Sequence, residues 1–104
     1  MRGNAREVFA GVLHDNRRTA LVRYRDVDGE RFPELTWFAR NVMAVRNQLG
    51  ESQGTFAARV GLTQPYISAL EGLKANPSLE VMSAIAEGTG YTVAQLVSED
   101  FKPK

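Results

Sequence analysis

The groups best suited to making specific contacts stand close together in Val60-Gly61-Leu62-Thr63-Gln64-Pro65-Tyr66-Ile67-Ser68-Ala69-Leu70-Glu71. Thr63, Gln64, Tyr66 and Ser68 can donate and accept hydrogen bonds, yet no general base stands beside any hydroxyl, so they offer recognition rather than bond making. The residues that bond making needs are missing or scattered. There is no cysteine, which removes thiol catalysis, thiolate metal sites and disulfides together, and His14 is the single histidine. Glu71, Glu80 and Glu87 fall on separate helical surfaces, and Gly88-Thr89-Gly90 lacks the lysine and preceding strand of a phosphate loop. No enzyme activity, catalytic residue, metal, cofactor or small-molecule substrate is expected.

A run of short helices must position the recognition groups. Leu35, Phe38, Val42, Val45 and Leu49 recur at helical spacing between Pro33 and Gly50, with Trp37 beside them, and predict one long helix. Ser52 caps a second helix that runs through Val60, Gly61 ends it, and Thr63 caps a third. Pro65 has no amide, so the Thr63 oxygen must take the Tyr66 amide; a first-turn proline is tolerated because those amides lack intrahelical partners. Ser78 opens a fourth helix, with Leu79, Met82 and Ile85 pointing one way, and Thr92 begins a last turn closed by Leu96 and Val97. Residues 98–104 read as a flexible tail.

Phe56, Ala57 and Val60 supply the inner face of the second helix, Ala57 being small where the third must cross closely. Ile67 and Leu70 pin the third helix from beneath. Gln64, Pro65, Tyr66, Ser68 and Ala69 are then expected on its outer face and leading end.

Arg46, Ser52-Gln53, Phe56-Ala57, Val60-Gly61-Leu62, Ile67-Ser68, Leu70-Glu71, Lys74 and Asn76-Pro77-Ser78-Leu79 together resemble the helix-turn-helix domain of the phage repressor (Cro/C1, or XRE-type) family. The resemblance spans residues 40–97 and implies a mainly α, five-helix lambda-repressor-like domain whose third helix meets base edges in the major groove. Gln64, Pro65, Tyr66, Ser68 and Ala69 become the candidate base contacts. A glutamine amide at Gln64 can pair with adenine N6 and N7, and the Tyr66 ring can meet a thymine methyl. The resemblance also implies phosphate contacts from Gln53, Thr63, Lys74 and Asn76. Arg46 has two equal readings, a phosphate contact or a structural tie to Glu71.

Three positions depart from the family. Gly72-Leu73 stands where Asn-Gly is usual, which predicts an earlier helix end, and Glu51 replaces an apolar residue. The recognition helix holds no arginine or lysine, which predicts an A·T-leaning site and dependence on a dimer.

Residues 1–35 lie outside the resemblance. Asn4 and Glu7 suit a capping box ahead of Val8, Phe9, Val12 and Leu13, and residues 19–27 read as a strand entering a hairpin at Asp28-Gly29. Pro33 cuts the return strand short, leaving an unpaired edge at Leu21, Val22, Arg23, Tyr24 and Arg25 as a dimerisation candidate. The chain thus divides into an N-terminal helix plus small β-hairpin extension (1–35), a helix-turn-helix domain (36–97) and a tail (98–104).

The length of 104 residues, 43% hydrophobic and 24% charged, suits one small-cored domain with an extension. A net charge of +1 is far from the basic excess of a nonspecific nucleic-acid coat. With no membrane-spanning run and no signal-peptide core, a cytoplasmic location is expected. The function expected is a homodimeric repressor that binds double-stranded DNA at a palindromic operator, with an antitoxin-like protein that neutralises a toxin partner and represses its own operon as the alternative.

Overall fold

The computed structural model describes residues 28–104. Among them are five helices: α1 Pro33–Leu49, α2 Gln53–Val60, α3 Gln64–Glu71, α4 Leu79–Thr89 and α5 Val93–Leu96. The caps are those read from the sequence. Ser52, Thr63, Ser78 and Thr92 each accept, through the side-chain oxygen, from the amide three residues on. Each satisfies an amide that has no partner within its helix.

No strand occurs among the described residues, and the hairpin expected around Asp28-Gly29 is corrected accordingly. The Asp28 carboxylate accepts from the Arg31 amide at 3.0 Å and the Asp28 carbonyl from the Phe32 amide at 3.0 Å. Pro33 then opens α1 with its backbone already helical. A self-satisfied turn leading into a proline-started helix leaves no return strand. The expected first helix and first strand lie outside the described residues, as do the dimerisation candidates Leu21, Val22, Arg23, Tyr24 and Arg25.

α2 packs on both α3 and α4, while α1 crosses α3 and α5. The core they enclose holds Phe38, Val42 and Val45 of α1, Phe56, Ala57 and Val60 of α2, and Ile85 and Leu96 beyond. Leu79 is a second correction: expected on the inner face of α4, it is 66% exposed. It is the first helical residue and sits ahead of the turn that reaches the core. None of the described helices is long and apolar enough to cross a membrane.

In place of a free tail, residues 98–104 fold back on the domain. The buried Asn41 side chain donates to the Leu96 and Ser98 carbonyls at 2.9 and 2.8 Å, and Arg40 donates to the Glu99 carbonyl at 3.0 Å. Phe101 meets the Tyr91 ring edge to face at 5.0 Å, and the Lys104 amide donates to the Tyr91 hydroxyl. An aromatic side chain and a buried amide thus hold a segment that its polar composition had marked as loose.

Gly88 marks the close approach of α4 to α2. A Cβ there would lie 3.0 Å from Val60 Cγ1 and 3.2 Å from the Arg59 carbonyl oxygen. Backbone cannot step aside as a side-chain end can. Gly88→Ala is therefore expected to cost about 1–3 kcal/mol through overpacking, read as a fall in Tm; an unchanged Tm would mean the two helices separate freely.

Candidate nucleic-acid interface

The turn between α2 and α3 depends on Gly61, whose φ of 78° lies in the left-handed region that a Cβ disfavours. The Leu62 amide then donates to the Ala57 carbonyl at 2.9 Å, closing α2 as the chain turns into α3. Thr63 Oγ1 accepts from the Tyr66 amide at 3.3 Å, with Pro65 in the first turn of α3. Gln64, Pro65 and Ser68 are exposed.

A polar chain runs beneath this surface. Arg46 Nε and Nη2 donate to Glu71 Oε2 and Oε1 at 2.6 and 3.0 Å, and Nη1 donates to the Glu51 carbonyl at 2.9 Å. Glu71 raises the Arg46 pKa. Gln53 Nε2 also donates to Glu71 Oε1 at 3.0 Å, and Gln64 Nε2 donates to Gln53 Oε1 at 2.8 Å. The chain thus links α1, the end of α3, the start of α2 and the start of α3.

The loop after α3 is held from within by buried Ala75 and Pro77, which leaves Lys74 and Asn76 exposed. Leu73 takes φ 60° where Gly72, at φ −89°, does not. The displaced glycine thus leaves a leucine in the left-handed conformation, at a cost of about 1 kcal/mol. α3 ends at Glu71, with the Lys74 amide donating to the Ala69 carbonyl.

The family model for the helix-turn-helix matches residues 42–96, just over half of the chain. The chain belongs to the Cro/C1-type, or XRE, helix-turn-helix family. No curated protein and no solved structure matches it.

Within this XRE-type domain two of the five base-contact candidates change place. Tyr66 is 1% exposed and belongs to the core, and Ala69 is 9% exposed. At about 100° per residue, Ala69, Tyr66, Leu70 and Ile67 occupy one arc of about 160°, with Tyr66 and Leu70 on either side of its middle. A ring so enclosed cannot reach a base edge while α3 stays packed. Arg46, offered as a phosphate contact or a structural tie, makes the tie: its Nε and Nη2 donate to Glu71 and its Nη1 to the Glu51 carbonyl. Gln64, Pro65 and Ser68 remain on the surface of α3, with Gln53 bonded to Gln64, Thr63 capping the helix, and Lys74 and Asn76 exposed in the loop that follows it.

Glu51 and Arg59 account for the family's missing apolar residue. Arg59 Nε donates to both Glu51 carboxylate oxygens at 3.1 Å, so this cation is balanced within the protein. Its guanidinium holds the Glu51 carboxyl below its ordinary range. A lowered folded-state pKa stabilises above the unfolded value of about 4.3 and is lost as pH falls through the folded value. Glu51→Gln should therefore lower Tm slightly at pH 7, with the gap to wild type closing below pH ~4. A gap that stays constant with pH would show that the pair contributes nothing.

The sequence did not disclose that Gln53 and Gln64 bond each other. Their parallel placement was the available signal, since each is the first residue after a hydroxyl cap, in Ser52-Gln53 and Thr63-Gln64.

Proposed function

We propose that this XRE-type protein is a sequence-specific regulator that binds double-stranded DNA as a homodimer and represses by occluding a palindromic operator. One observation carries the reading: Gln64 is exposed at the leading end of a capped helix, with its amide held by Gln53. A held amide loses little freedom when it pairs with adenine N6 and N7, and pairs of this kind supply base discrimination. Gln53 beside it, Thr63 before it, and Lys74 and Asn76 in the loop after α3 serve as phosphate contacts that set register.

Occupancy of the operator is the whole of the proposed mechanism. Acidic residues outnumber basic ones over residues 28–104, and α3 carries no cation. One domain therefore gains little from phosphate attraction, and tight binding calls for two half-sites, about 34 Å apart in the usual dimer geometry.

The test is selection of binding sites from a random duplex pool at two salt concentrations. An A·T-leaning palindrome is expected. Gln64→Ala should then lower affinity for the recovered site about tenfold while leaving Tm and binding to unrelated duplex unchanged. Recovery of no motif, with salt-sensitive binding alone, would overturn the reading in favour of a protein partner.

A further inference from the structure

The polar chain ending at Gln64 has a direction, and Glu71 sets it. A carboxylate paired with Arg46 offers only acceptors, so the Gln53 amide must turn its Nε2 toward Glu71, as it does at 3.0 Å. The Gln53 oxygen then faces α3 and receives the Gln64 N–H at 2.8 Å. Gln64 is left with its own oxygen and one remaining N–H to present outward.

That pattern, an acceptor beside a donor, matches the N6 donor and N7 acceptor of adenine. Guanine presents two acceptors at the same edge, O6 and N7. Were Gln53 turned over, its N–H would bond the Gln64 oxygen, and both Gln64 N–H groups would face outward, as guanine requires. Nothing in Gln53 or Gln64 alone chooses between these states, since each amide carries both kinds of group. Glu71 breaks the symmetry.

We propose that Glu71, acting through Gln53, is a positioning residue that makes Gln64 an adenine reader. This rests on the reading of Gln64 as a base contact. Arg46 is part of the device because it holds the carboxylate, whose side chain is only 6% exposed, in place. Glu71 touches no base itself.

The experiment is site selection from a random duplex pool with wild-type protein, Glu71→Gln and Gln53→Met, followed by affinity measurements on the wild-type site and on the same duplex with its contacted adenine replaced by guanine. Glutamine at position 71 keeps the size but offers a donor as well as an acceptor, so the Gln53 amide is free to turn. The preference for adenine over guanine should fall about tenfold in Glu71→Gln, beyond any uniform loss of affinity. A purely structural tie predicts instead that all duplexes weaken alike and the ratio survives, which would overturn the proposal.

Gln53→Met severs the chain while leaving the Arg46–Glu71 pair intact. It should reduce the same ratio with Tm maintained, and a ratio kept there overturns the proposal even if Glu71→Gln fails to fold. Wild-type selection of adenine with the ratio kept in Gln53→Met would overturn this inference alone, whereas wild-type recovery of no motif would overturn it together with base reading by Gln64.

Discussion

Tyr66→Ala is expected to destabilise the domain by about 3–5 kcal/mol, the range for truncating a buried aromatic side chain to alanine. Tyr66 is 1% exposed and shares its cluster with Phe56, Ile67 and Leu70. Truncation opens a cavity at the centre of the α3 face, where the neighbouring helices are already fixed against one another. A domain of this size has about 5–15 kcal/mol in all, so much of the population unfolds at moderate temperature. Urea denaturation measures the loss. DNA binding should fall in proportion to the unfolded fraction and equally for every sequence, the opposite of the Gln64→Ala pattern. A Tyr66→Ala protein with normal stability and altered base preference would place the ring outside.

Arg46→Met is expected to cost about 2–3 kcal/mol, because it leaves a nearly buried Glu71 carboxylate without its guanidinium partner. The two side chains are 16% and 6% exposed, and the Glu51 carbonyl loses a donor as well. Much of that cost is desolvation of the orphaned carboxylate rather than lost attraction. The double variant Arg46→Met with Glu71→Met should therefore be more stable than Arg46→Met alone. Stability of the four proteins by urea denaturation closes the cycle. Equal stability of the single and double variants would show that Glu71 is not strained by losing its partner.

Local features carried most of the fold into the sequence. The four hydroxyl caps, the left-handed Gly61 and the Thr63 bond to the Tyr66 amide all involve residues no more than four apart, so spacing alone predicts them. The helix Pro33–Leu49 follows from its apolar period and a proline start. The missing hairpin shows where two local signals conflict: Asp28-Gly29 suits a hairpin turn, but Asp28 bonding forward to Arg31 and Phe32 ahead of Pro33 suits a helix start, and composition does not rank them.

The tertiary structure decided the rest. Ile67 and Leu70 locate the inner side of α3 without setting its width, and only the positions of the packed helices enclose Tyr66 and Ala69. The tie between Arg46 and Glu71 joins residues 25 apart along the chain, and only the crossing of their helices makes it visible. The Gln53–Gln64 bond and the tail held by Asn41 and Tyr91 are likewise meetings of residues distant along the chain. Short-range chemistry specified the helices, their ends and the family; the packing of the helices set which polar groups face outward and which bond inward. Caps and periods are satisfied within one turn of chain, whereas the direction and partner of a long polar side chain depend on which helix lies opposite it.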